Sequence, residues 1–212
     1  MKPITAIAML CLGFAVQALA GIDTTQLVAD ARAQIGVTVT YDPTYQKLKY
    51  PGGDVPVDKG VCCDVVIRAL RKQGTDLQRL VHEDMRANFT RYPSNWGMKS
   101  PDANIDHRRV PNLACYFTRQ GWSAAITPTP NAYGPGDIVT WDLGHGLTHI
   151  GVVSDRLTAK GVPLVIHNIG RGAQEENILF SYTITGHYCL PKADKRVTVD
   201  ATRNSATRPG PR

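Results

Sequence analysis

The chain has 212 residues, 42% hydrophobic and 20% charged, which supports one domain with a sizeable core and excludes a disordered chain. The formal net charge is +6, but residues 192–212 hold six basic and two acidic side chains, so most of the excess sits on a polar end. The remainder is close to neutral, which argues against nucleic acid as a partner.

Residues 1–20 read as a secretory signal peptide. Lys2 gives the positive start, Ile4 to Val16 is a short apolar run, and Ala18-Leu19-Ala20 is a small-x-small cleavage site. The run is too short to span a bilayer, and no later stretch reads as a span, so no stable membrane insertion is expected. The expectation is a periplasmic or secreted protein starting near Gly21. The four cysteines beyond Cys11 are Cys62, Cys63, Cys115 and Cys189. An even count in an exported chain suggests disulfides, but a free nucleophile at Cys62 leaves room for one internal bridge at most.

Apolar spacing predicts a helix over Asp23–Ile35, stopped by Gly36, and then a short strand at Val37–Thr40. A Gly/Pro-rich loop runs from Tyr41 to Gly60. Helices are predicted from Val61 to Lys72, from Asp76 through Leu77, Leu80, Val81 and Met85, and from Val110 to Gln120. A polar loop covers Tyr92 to Asp106. From Trp122 the pattern turns to short strands at 122–126, 138–142, 148–154, 164–168, 178–182 and 187–190. Helices first and strands second indicate an α+β fold with an antiparallel sheet. One domain is expected over residues 21–191. Residues 192–212 read as a solvated, disordered basic tail, whose sharper role is weak attachment to anionic envelope polymers.

The chemistry centres on Gly60-Val61-Cys62-Cys63-Asp64. A thiol at a helix N-terminus sits beside unpaired backbone N–H groups and the positive end of the helix dipole, and both favour the nucleophilic thiolate. Cysteine-based acyl transfer also needs a base and a group to orient it. His149 on one strand supplies the base. His167 or Asn168 on the next supplies the orienting group, with His167 preferred because it can fix the tautomer of His149. Cys63 is about 100° further round the helix, so Cys62 and Cys63 cannot both face one base. His145, His149 and His167 raise a zinc hydrolase as a minor alternative, but no Glu follows the first histidine of His145-x3-His149, and no metal or other cofactor is assigned.

Gly60-Val61-Cys62-x-Asp64-Val65-Val66-Ile67-Arg68, Asn104 through Leu113, Gly136-Asp137-Ile138-Val139-Thr140-Trp141 and Ile166-His167-Asn168-Ile169-Gly170 resemble the bacterial domain-of-unknown-function family numbered 1287, over about residues 25–190. More distantly, the order of these motifs is similar to the NlpC-type cell-wall peptidases of the papain-like superfamily. That likeness implies a papain-like fold with the N-terminal helices packed on the C-terminal sheet. It implies Cys62, His149 and His167 at the catalytic positions, and Tyr50 beside the thiol as an oxyanion donor. The sequence departs from the usual Asp-Cys-Ser-Gly in reading Val-Cys-Cys-Asp, and residues 74–124 form a large insertion before the sheet. The implied activity is a cysteine amidase or peptidase acting on peptidoglycan or its peptide fragments. Asp106, His107, Arg108 and Arg109 read either as a salt-bridged loop or as a rim that binds wall-peptide carboxylates, which suit arginine's planar fork. The alternative from another class is a non-catalytic wall-binding domain on the same scaffold.

Overall fold

Asp23 begins the first helix by accepting hydrogen bonds from the Thr25 and Gln26 N–H groups, and α1 (Thr24–Arg32) buries Leu27, Val28 and Ala31. The molecule is a computed structural model in which residues 21–193 are described; the expectations for residues 1–20, and for the tail beyond Ala193, lie outside the described residues. α2 (Cys62–Lys72) is the central helix, its buried face running through Val66, Ile67 and Leu70. α3 (Leu77–Asn88) is capped by Asp76, and α4 (Val110–Arg119) carries Pro111 in its first turn, where a missing N–H costs nothing. Between them Asp106–Arg108 makes one 3₁₀ turn.

A parallel pair of two-residue strands, β1 (Thr40–Tyr41) and β2 (Lys59–Gly60), leads into α2. The main sheet comprises β3 (Ile138–Asp142), β4 (Thr148–Leu157), β5 (Pro163–His167), β6 (Gln174–Glu176) and β7 (Thr183–Tyr188). Its order is β6-β5-β4-β3-β7, with every pair antiparallel. The fold is therefore α+β, as the order of patterns indicated.

Alternation along the strands divides two cores. Ile138, Ile150, Val152 and Ile166 face the helices and join Leu27, Val66, Leu70 and Phe117. Val139, Trp141, Val153 and Val165 face the other way, where Tyr133 and Leu179 cover them. Arg32 ties α1 to the sheet through Glu175 (2.8 Å) and Asp155.

Four strand expectations differ from the structure. Only Thr40 of Val37–Thr40 joins a strand, because the Thr38 N–H closes back on the Gln34 carbonyl at the end of α1. Trp122–Ile126 makes a single bridge, Ser123 to Tyr188, while Trp122 stacks on Phe117. Ile178–Tyr182 is a turn whose Leu179 plugs the second core, its carbonyl accepting from Trp141 Nε1 (2.9 Å). The last strand begins at Thr183 rather than His187. β6 was missed because Gln-Glu-Glu on an edge carries no apolar alternation.

Candidate functional site

The loop before Cys62 is shaped by the helix that follows it. Arg68 reaches back from α2 to the carbonyls of Val55, Pro56 and Lys59 and to the Asp54 carboxylate (2.9 Å). Asp64 caps the same helix by accepting from the Val61 N–H (2.7 Å); valine has no side-chain acceptor, so only half of a capping box forms. Arg108 holds the buried Asp64 carboxylate through Nε (3.0 Å) and Nη2 (2.9 Å). A Cβ at Gly60 would come within 3.1 Å of Asp64, so glycine lets the loop close over this cap. Asn168 Nδ2 donates to the Gly60 carbonyl (3.0 Å). Asn168 thus ties the end of β5 to the cysteine loop and makes no bond to His149.

Cys62 meets the sheet at the start of β4. Its thiol is pulled below its ordinary value, to about 5, first by a hydrogen bond with Cys63, against desolvation, and then by the hydrogen bond and charge of His149 and the Ile150 N–H. Burial pushes Cys63 the opposite way, so of the two it is Cys63 that keeps its proton. His149 Nε2 lies 3.0 Å from His167 Nδ1, with the two rings nearly perpendicular. That leaves His149 Nδ1 for the thiol. Burial, followed by the charges of His149 and Arg171, pushes His167 down to about 3, so it stays neutral. A Cβ at Gly151 would fall 2.6 Å from Val165 Cγ1 and 3.2 Å from His167 Cβ. The glycine two residues after His149 is what lets the two histidines approach, and the His149-x-Gly151 spacing within a strand was its available signal.

A cleft of about 460 Å3 opens beside Cys62, walled by Tyr41, Tyr45, Trp96, Arg109 and Thr148. Tyr50 is not part of it: that side chain is 41% exposed and packs edge-on against His82 (5.2 Å). The tyrosine beside the thiol is Tyr41, whose hydroxyl is pushed up to about 12 by burial and by the neighbouring Cys62. Of the charged cluster, Asp106, His107 and Arg108 turn inward and are buried. The Asp64 carboxylate needs a cation there and takes Arg108. Burial raises Asp106 to about 6 and, with Arg71 and Arg108 nearby, lowers His107 to about 3. Arg109 stands at the rim, its guanidinium stacked 4.2 Å above Trp96, in contact with Met98 and 3.5 Å from the Asp106 carboxylate.

Other groupings are less suited to chemistry. A second cavity of about 390 Å3 lies between α1 and α2 and holds neither the thiol nor the histidines. Asp137, His187 and Cys189 place ligand atoms within 4.8 Å of one another, but His187 Nε2 is already bonded to Asp137 Oδ2 (2.8 Å). His145 occupies the exposed turn before β4 with φ of 54°, away from His149 and His167 as a ligand group. All four described cysteines are free. No helix among the described residues is long and apolar enough to cross a membrane.

Residues 28–190 match the family described as Domain of unknown function (DUF1287). The chain is 59% identical over 167 residues to Uncharacterized protein YijF of Escherichia coli (strain K12), covering 78% of this chain and 82% of that protein. No solved structure matches.

Proposed function

From the premise that this chain belongs to the DUF1287 family, we propose that it is an exported cysteine amidase or peptidase that hydrolyses amide bonds in peptidoglycan peptides, on a papain-like scaffold. The observation that carries this is the Cys62 thiol at the start of α2, drawn down toward thiolate with His149 among the causes, where His149 Nε2 lies 3.0 Å from Nδ1 of a second histidine, His167. A cysteine on a helix packed against a sheet, with its base on one strand and the orienting group on the next, is also the papain-like order of parts. The Cys62 thiolate attacks the amide carbonyl, and imidazolium His149 protonates the leaving amine. His149 then takes a proton from water, which attacks the thioester and releases the acid. The Cys62 backbone N–H stabilises the oxyanion, with Tyr41 taking the part the sequence assigned to Tyr50. Arg109 on Trp96 meets a carboxylate of the wall peptide. Periplasmic or secreted placement belongs to the same reading and rests on the sequence of residues 1–20.

The test is turnover of purified peptidoglycan and its muropeptides by the mature protein, with products read by mass spectrometry. Cys62→Ala is expected to abolish product, and Cys63→Ala to leave measurable activity. A second reading, a wall-binding module, is favoured by the 4% exposure of Cys62. Binding to the sacculus with no new product would decide for the module.

A further inference from the structure

We propose that Glu176 is a positioning residue, which holds the proton of His167 on Nε2 so that Nδ1 stays bare for His149. This rests on reading Cys62 and His149 as nucleophile and base. When His149 is an imidazolium, both its nitrogens carry protons: one points at Cys62 and the other, on Nε2, at His167 Nδ1 (3.0 Å). His167 Nδ1 must then accept, and a neutral imidazole has one proton to place. It must sit on Nε2. That nitrogen is buried and has no hydrogen-bond partner among the described residues. A buried donor left without an acceptor is destabilising, so a nearby acceptor matters.

Glu176 Oε2 lies 3.2 Å from it, within range but off the line a hydrogen bond needs. A small rotation of the carboxylate makes the bond. The sheet explains the approach. β6 pairs His167 with Gln174 and Val165 with Glu176, which makes Glu176 the diagonal neighbour of His167 on one face. Its sequence neighbour Glu175 points to the opposite face and is taken by Arg32. Arg171, in the turn between β5 and β6, bonds the other oxygen of Glu176 and steadies it. The remaining ionisable groups around the pair are Cys62 and Cys63 on α2, with Asp64 and Arg108 behind them already paired to each other. None of these is a listener for His167 Nε2, and Glu176 is.

The direct experiment is nitrogen–proton NMR of the imidazoles in the full mature chain. Wild-type His167 is expected to carry its proton on Nε2 alone. Glu176→Leu should produce a mixture with the Nδ1-protonated form, whereas Glu176→Gln, whose carboxamide oxygen still accepts, should preserve the single form. On peptidoglycan, Glu176→Leu should lower kcat by about tenfold with KM unchanged, by analogy with the loss of a carboxylate that orients a metal-bound histidine. A wild-type proton on Nδ1 overturns the proposal without any variant, as does an unmixed Nε2 form in Glu176→Leu. Absence of turnover in the wild type would count against the hydrolase reading alone, since the NMR result does not depend on it.

Discussion

Two adjacent thiols, both buried, are shifted in opposite directions in their hold on a proton. Cys63 gives a hydrogen bond and keeps its proton; Cys62 receives one and loses it. Replacing Cys63 by Ala should therefore move the midpoint of Cys62 alkylation upward from about 5, as measured by iodoacetamide labelling against pH. An unmoved midpoint would give the low value to His149 and the helix terminus instead. The sequence disclosed Cys62, His149 and His167 because each sits in an informative local setting: a helix start, a strand beside a glycine, and the next strand. It could not separate Tyr41 from Tyr50, since both lie in one Gly/Pro-rich loop whose path is set by Arg68 from the far side. Nor could it disclose Glu176, whose partner is fixed by strand register rather than by spacing.

At the scale of elements, the N-terminus of α2 depends on a charge pair that links it to the 3₁₀ turn before α4. The Asp64 and Arg108 side chains are only 3% and 2% exposed. Removing one partner of such a pair strands the other, so Arg108→Ala should cost about 3–5 kcal/mol in chemical denaturation. Arg109→Ala loses only a longer contact to Asp106 (3.5 Å), so it should cost less stability than Arg108→Ala and instead weaken peptide use; equal losses in both variants would refute this division of labour. Four charged residues in a row read alike as sequence. What sorted them was the need of a carboxylate two helices away. The helices themselves were legible because their apolar faces repeat and their caps are explicit. The strands were less so, since a plugging turn at Leu179 and a polar edge at β6 break the link between apolar runs and pairing.

Across the whole molecule, two of the four histidines buried among the described residues, His107 and His167, are pushed from 6.5 to about 3 chiefly by burial. A depressed folded value means that the unfolded chain binds a proton the folded chain does not. The stability they allow is present above pH 6.5 and is lost as pH falls toward 3, at roughly 1.4 kcal/mol per pH unit for each group. Two groups work in the other direction: Asp106, raised by burial, and His187, raised by Asp137 and the Ala125 carbonyl in spite of burial. Because they are common to wild type and variant, the cleaner measurement is a difference. His107→Gln should flatten the slope of unfolding free energy between pH 6 and 4 by about that amount. An unchanged slope would mean that His107 takes up its proton without unfolding.

Ile22 and Lys192 form a bridge across the ends of the described domain, where the Ile22 N–H donates to the Pro191 carbonyl (2.6 Å) and the Ala193 N–H to the Ile22 carbonyl (3.1 Å). The polypeptide enters and leaves through one doorway. A host protein could therefore carry this domain as an insert in a surface loop without stretching it. Whatever is joined to either end is presented from a single pole of the molecule.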